Sequence, residues 1–580
     1  GLALGSWLLG RVSDRLRRPL ATYGVLELAI GFCGLAIPLL LDRLYLVDGW
    51  AYRHWGQNFT VLTGFRFILA LAVMLLPTTL MGATLPVLTR FFVHERRHLG
   101  LHVGGLYATN TFGAVCGAFL AGFFLIASLG LYHTQWTAAG LNLLVAVLSL
   151  VLSPLLDRPA QQGAKAASRA AQTEEPAVDP SIYRWILFTA MCSGMVALCA
   201  QVIWSRSLVF SFEYLKNTTY AFSAMLTVFL AGLALGSAVI GPLIDHQRFP
   251  LRLYGILLML IGISIAVSVV VAVSGAEAML WATPYNEETG ELNWSLAVLN
   301  IMLQTFGVVG IPTLLMGMAF PVAARVITRV GHVGGDVGTL YSVNTLGSIV
   351  GSLAAAVVIV PLFGLTKGLL LLGVIEIALG LATIARSPAG RMHLRLFGGL
   401  AVFVLVPIGF WLARGEGARL QPLVNNDVAM RFYDEGALAT VAVAENSLGD
   451  RTIYVDGVGV AGTDQVLQTD QKSLAHLPMM LLERPTSALT VGFGSGGASY
   501  SLLLHDRLTT VHCVEICPNV LDAAPTLDAA NHRFYGDLHP LEFAARDDRY
   551  EIIIDDARAW LRYTDQRYDF IATDCTDLRY

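Results

Sequence analysis

For roughly its first 410 residues the chain alternates long apolar runs with short polar ones. Apolar stretches lie near 20–42, 60–89, 103–127, 131–154, 184–207, 217–243, 253–274, 295–323, 337–362, 367–385 and 396–413, and residues 1–10 supply the end of one more. About 20 apolar residues in a helix match the ~30 Å hydrocarbon core of a bilayer, so each stretch predicts a membrane helix. Asp157 to Pro180, rich in Ala, Gln, Glu and Pro, reads as a flexible linker. From about residue 425 the period changes. Ala437–Ala444 and Arg451–Val455 alternate as strands around the hairpin turn Asn446-Ser-Leu-Gly449, and Leu474–Leu481 reads as an apolar helix. Four short apolar runs beginning at Ala488, Thr510, Glu551 and Tyr568 then predict strands of a parallel sheet.

The apolar part repeats itself. Gly1-Leu-Ala-Leu-Gly-Ser6 recurs as Gly232-Leu-Ala-Leu-Gly-Ser237, and Gly10 with Asp14 recurs as Gly241 with Asp245, both at an offset of 231. Leu80-Met-Gly82 with Pro86 and Arg90 recurs at Leu315, and Leu106-Tyr107 with Asn110-Thr111 and Gly113 recurs at Leu340, at offsets of 235 and 234. Matched features in one order imply two homologous halves. The helix at 184–207 opens the second half, and its counterpart would precede Gly1, so the sequence reads as a fragment.

Composition sharpens the picture. The 580 residues are 55% hydrophobic and only 14% charged, against about a quarter charged in soluble proteins. The chain's partner is therefore a lipid bilayer. A net charge of −4 gives no reason to expect nucleic acid. Seven scattered cysteines lack paired ligand spacing, so no metal site is expected. Loops 11–18, 90–97, 245–252 and 325–329 hold eleven arginines together, whereas 43–58 and 275–293 hold two. The arginine-rich side is expected to be cytoplasmic, in a bacterial inner (plasma) membrane. Whether 396–413 crosses, leaving the C-terminal domain outside, or lies in the interface with the domain inside, stays open in the sequence.

Polar residues inside apolar spans mark sites or helix contacts. Glu27, Arg66, Gln201, Arg206, Glu376, Asn110 and Asn344 qualify. Asn110 and Asn344, being repeated, are candidates to face one another across a pseudo-twofold axis, with interhelical hydrogen bonding as the competing role. Glu376, matched by Asn142 in the first half, is the candidate proton or cation site.

The densest chemistry surrounds Ala488-Leu-Thr-Val-Gly-Phe-Gly-Ser-Gly-Gly497 and Glu515. Gly492, Gly494 and Gly496 form a tight turn that lets a ligand approach the backbone, and an acid ending the next strand can accept both hydroxyls of a ribose. Ile554-Asp-Asp556 and Asp574-Cys-Thr-Asp577 end two further strands. Carboxylates at the tips of neighbouring parallel strands converge on one crevice. Asp556 can accept a hydrogen bond from an adenine amino group.

Two resemblances follow from these residues. The paired halves with G-x-x-x-D at Gly10/Asp14 and Gly241/Asp245 resemble the major facilitator superfamily, which implies aspartates that cap neighbouring helices at the cytoplasmic face. Asp456-Gly457, His476-Leu-Pro478, the glycine turn, Glu515, Ile554-Asp-Asp556 and Tyr568-Asp to Asp577 resemble the spermidine synthase (polyamine aminopropyltransferase) family. That resemblance implies decarboxylated S-adenosylmethionine as co-substrate and a small amine acceptor. Glu515 would then hold ribose, Asp556 and Ala557 adenine, and Asp574 would act as base. Asp577, Asp470 and Gln471 would face the acceptor. The sequence departs from the family pattern at Ser495, where an acid is usual, at Asp470-Gln471 in place of Tyr-His, and at Leu578 in place of Pro. The alternatives are an S-adenosylmethionine-dependent methyltransferase, or a transporter whose soluble domain senses nucleosides or polyamines.

The expected fold is a polytopic α-helical membrane domain of two six-helix repeats without its first helix. A C-terminal α/β Rossmann-like, methyltransferase-type domain follows, with a small N-terminal β layer and an incomplete C-terminus. The boundaries are 1–155 and 184–390 for the repeats, 156–183 for the linker, 391–424 for an extra helix and connector, and 425–580 for the last domain.

Overall fold

The computed structural model describes residues 1–13, 15–56, 58–92, 99–170, 179–211, 219–244, 246–274, 284–285, 291–329, 333–388, 390–413, 428–436, 438–536 and 538–573. Asp14, Asp245, Asp574 and Asp577 lie outside them.

The membrane part is built from α1 (Leu2–Ser13), α2 (Pro19–Trp55), α3 (Phe59–Phe92), α4 (Leu99–Leu120), α5 (Ile126–Ala170), α6 (Pro180–Ser211), α7 (Thr219–Ile244) and α8 (Pro250–Ser274). It continues through α9 (Trp294–Thr305), α10 (Ile311–Ile327), α11 (Val333–Ala354), α12 (Val360–Arg386) and α13 (Gly390–Ala413). Among the described residues eight continuous helical stretches are long and apolar enough to cross a membrane. Two of them, Gly104–Asp157 of 54 residues and Gly334–Arg386 of 53, are too long for one crossing, since 54 residues of helix would measure about 80 Å. Each breaks at a glycine with left-handed φ, Gly130 at 73° and Gly364 at 71°, where a side chain would be strained. Helix α5 runs on to Ala170, into the stretch read as a flexible linker from Asp157. Its alanines and glutamines favour helix strongly enough to extend the span beyond the apolar run.

Several features recur at the offset seen in the sequence. Ser6 Oγ donates to the Gly82 carbonyl at 2.6 Å, and Ser237 Oγ to the Gly317 carbonyl at 2.7 Å. Gly10 packs against Gly338, and Gly104 against Gly241, so closely that a methyl group at either site would meet backbone at 3.0–3.3 Å. Short π turns precede both breaks, at Ala121–Leu125 and Ala355–Ile359. Helix α4 lies along α7 and α11 along α1, while α2 packs on α5 and α8 on α12. Asp157 accepts from the Leu20 and Ala21 amides at 2.9 and 3.3 Å, capping the start of α2.

The C-terminal domain begins with an antiparallel sheet, β1 (Ala429–Glu435), β2 (Thr440–Glu445), β3 (Arg451–Val455) and β4 (Val458–Gly462), in sequential order. The sequence reading contained the second and third of these strands. Helix α14 (Gln465–Leu481) starts on Asp464, whose carboxylate accepts from the Val466 and Leu467 amides. The second sheet comprises β5 (Ser487–Val491), then α15 (Gly497–Leu503), β6 (Thr510–Glu515), α16 (Pro518–Ala523), α17 (Pro540–Ala544), β7 (Tyr550–Ile554), α18 (Ala557–Tyr563) and β8 (Phe570–Thr573). Its strands are parallel in the order β7-β6-β5-β8. The chain therefore reverses direction across the sheet beside β5, and the carboxyl ends of all four strands share one edge. The apolar faces of both sheets bury into a single core that includes Val441, Ile453, Ala488, Val511 and Leu521.

Candidate functional site

The glycine bend leaves β5 with three left-handed residues, Gly492 at φ 89°, Gly494 at 57° and Gly496 at 78°. A methyl group on Gly496 would lie 2.8 Å from the Phe493 ring and 2.9 Å from Tyr535. The bend is fastened from several sides. Asn531 Nδ2 donates to the Ser495 carbonyl at 2.7 Å, Tyr535 Oη to the Gly496 carbonyl at 3.0 Å, and the buried Ser495 hydroxyl bonds Gln471 Oε1.

Glu515 ends β6 and is 6% exposed. One carboxylate oxygen accepts from the Phe493 amide inside the bend and the other from the Cys517 amide, each at 2.8 Å. Burial raises its pKa above the usual carboxylate range, opposed by the backbone amides of Phe493, Cys517 and Ile516. Each oxygen keeps a second lone pair, so the group can still accept a pair of vicinal hydroxyls. Next along the edge, β7 ends in Asp555-Asp556. The Asp555 amide bonds the Glu515 carbonyl at 3.2 Å, which sets the two strand tips side by side. Asp556 is exposed and caps α18 by accepting from the Arg558 amide at 2.7 Å, with Ala557 as the first helical residue. β8 pairs Thr573 with Val491, and the described residues stop there, so Asp574 and Asp577 receive no geometry.

The structure thus brings together the three glycines, Glu515, Asp556, Ala557 and Gln471. Asp470 sits on the exposed side of α14, away from its buried neighbour Gln471. A surface groove of about 700 Å³ runs along α14 between Asp450, Lys472 and His476, and none of the expected nucleoside residues lines it. In the membrane part, Asn344 donates to the Ala190 carbonyl of α6 at 2.9 Å, an interhelical bond, while Asn110 is exposed. Glu376 is fully buried in α12, beside Ser193 and Cys192 of α6 and Tyr254 of α8.

Asp555, which had no role of its own in the sequence, belongs to this edge, and Asp456 of the expected Asp456-Gly457 turn lies in the hairpin of the neighbouring sheet. Asp555 is held by the Tyr52 hydroxyl of α2 at 2.6 Å, and Asp456 turns the β3–β4 hairpin at φ 47°, accepting from the Thr440 amide at 2.9 Å. The place of Asp555 beside Asp556 at the end of an expected strand was the available signal.

The match to known families divides the chain in the same way. Residues 1–316 match the Major Facilitator Superfamily, and residues 468–579 match the spermine/spermidine synthase domain. The chain is 25% identical over 280 residues to polyamine aminopropyltransferase 1 of Streptomyces coelicolor, covering 46% of this chain and 50% of that protein. It is 24% identical over 422 residues to the polyamine aminopropyltransferase of Corynebacterium efficiens, covering 70% and 73%. Over 121 residues it is 34% identical to the enzyme of that name from Thermococcus kodakarensis, covering 20% and 40%. Among solved structures it is similar to the spermidine synthase of Thermotoga maritima, with 25% identity, a TM-score of 0.22, and coverage of 25% and 47%. The chain spans about half the length of the Streptomyces relative. With eight helices among its described residues long and apolar enough to cross a membrane, it is an integral membrane protein. It belongs to the Major Facilitator Superfamily, which matches more than half of its 580 residues, and it carries a spermine/spermidine synthase domain at its C-terminal end.

Proposed function

We propose that the chain belongs to a membrane-bound aminopropyltransferase of a bacterial inner (plasma) membrane. It would move an aminopropyl group from decarboxylated S-adenosylmethionine to a small amine. The observation that carries this reading is the shared strand edge on which the glycine bend, Glu515 and Asp555-Asp556-Ala557 lie side by side. Glu515 would hold the ribose hydroxyls, and Asp556 with the Ala557 amide the adenine. Asp574, taken from the family resemblance, would be the base. An alkylammonium is protonated at neutral pH and must lose a proton before its nitrogen can attack. The amine nitrogen then displaces the sulfonium: the new C–N bond forms, the C–S bond breaks with its electrons going to sulfur, and the proton passes to the carboxylate. Methylthioadenosine is the other product.

One observation favours a second reading. Ser495, bonded to Gln471, fills the place where the related family has an acid against the transferring chain. Without that carboxylate, an S-adenosylmethionine-dependent methyltransferase becomes the competing assignment. Calorimetry on the detergent-solubilised protein decides between them. Tighter binding of the decarboxylated donor, with methylthioadenosine released in the presence of an amine and abolished by Asp574→Asn, is the expected result. Preference for the carboxylated donor overturns it.

A further inference from the structure

The two ends of the helix bundle differ in charge, and the C-terminal domain is seated on one of them. Eleven arginines occupy the loops at the ends of α1, α3, α7 and α10, and Arg386 ends α12 on the same side. Among the described residues, the hydrogen bonds between the C-terminal domain and the bundle fall at the opposite ends. Tyr52, three residues from the end of α2, donates to Asp555 at 2.6 Å. Tyr563 of α18 donates to Asp48 at 3.1 Å and meets the Tyr45 carbonyl at 3.3 Å, while Arg66 of α3 clasps the same Asp48 at 2.7 and 3.1 Å. Near the end of α6, Arg206 donates to the Gly436 carbonyl at 2.8 Å, and Glu435 accepts from the Leu365 amide at 2.6 Å beside the break in α12. A small apolar cluster of Ala51, Tyr52, Leu62 and Phe65 closes on Ala559, Trp560 and Tyr563.

Those contacts come from four different helices, so they fix the seat independently of any one of them. Along α12 the 22 residues from Leu365 to Arg386 measure roughly 30 Å, the thickness of a bilayer's hydrocarbon core. The chain must cover that distance again between Arg386 and β1. α13, 24 residues and about 36 Å long, does so. Packed along α8 and α12, its 18 apolar-rich residues suit a crossing helix better than an interfacial one.

We propose that the C-terminal domain, with its nucleoside crevice, stands on the outer face of the membrane. Short loops rich in arginine stay in the cytoplasm, and the reverse orientation would carry eleven arginines out while leaving two behind. The strand edge bearing Asp555 is also the edge turned toward the bundle. If the aminopropyl chemistry proposed above holds, donor and amine reach the crevice from the outer compartment or through the helix bundle.

The experiment uses single cysteines in the full protein, probed in spheroplasts with a membrane-impermeant maleimide, with the unsubstituted protein as background. Leu448→Cys lies at an exposed hairpin tip of the C-terminal domain and Glu483→Cys in an exposed turn after α14; Gln247→Cys lies in an arginine-rich loop. Leu448→Cys and Glu483→Cys are expected to label fully without permeabilisation, and Gln247→Cys only after it. Labelling of either C-terminal site that requires permeabilisation overturns the proposal. Methylthioadenosine release from externally added donor is measured on the same spheroplasts. Outside labelling with no methylthioadenosine before or after permeabilisation rejects the chemistry and leaves the orientation standing.

Discussion

Replacing Glu515 by Gln tests the candidate site most directly, because the carboxylate fastens the glycine bend and is also the proposed ribose ligand. Its oxygens accept the Phe493 and Cys517 amides at 2.8 Å each. In the amide variant one oxygen becomes an NH2 group pointed at a backbone N–H, so one bond is lost and two donors face each other at a buried site. Leaving a buried donor unsatisfied costs about 1–3 kcal/mol. The neutral amide also escapes the burial penalty that raises the Glu515 pKa, which offsets part of that loss. The expected net destabilisation of the C-terminal domain is about 1–2 kcal/mol, or a drop of roughly 2–8 °C in its melting temperature. In the proposed site, ribose recognition would depend on the negative charge, and a hydrogen bond to a charged group contributes about 1.5–3 kcal/mol. Methylthioadenosine affinity should therefore fall by roughly ten- to a hundredfold. Thermal melting and titration calorimetry on one preparation read both effects. A lowered melt with unchanged affinity would reduce Glu515 to a fastener of the glycine bend, and no change in either would refute the geometry.

Other expectations follow from individual contacts. Tyr52→Phe removes the hydroxyl that holds Asp555, a charge-assisted bond to a half-exposed group with a contribution of about 1.5 kcal/mol; hydrogen exchange at the tip of β7 should quicken and methylthioadenosine binding weaken several-fold, although the residue lies in a membrane helix. Gly496→Ala places a side chain at φ 78°, against the Phe493 and Tyr535 rings, and a loss of at least about 1–2 kcal/mol is expected in chemical denaturation. Arg431 and Arg451 hold the Glu445 pKa down at about 2. Because the folded pKa is depressed, the stabilisation is present above the ordinary glutamate range and is lost as pH falls toward 2; Glu445→Gln should flatten that acid limb in melts recorded between pH 5 and 2.

Much of this protein was set by local sequence. Apolar run length alone implies membrane helices, because backbone groups in lipid must be satisfied within the helix. The spacing of glycines before Glu515 needed no tertiary information either, since three left-handed residues in five leave few other residues possible. What the sequence could not decide was which long-range partners each polar group would find. Arg66 and Arg206 looked like intramembrane sites, yet they bind Asp48 and the Gly436 carbonyl at the seat of the C-terminal domain. Asp555 and Asp556 are neighbours of one type, and only packing made the first a tether to α2 and the second a helix cap. The seat itself involves residues some 500 positions apart in the chain, such as Tyr52 and Asp555. No local pattern encodes such a contact, because its energy exists only after both domains have folded and met.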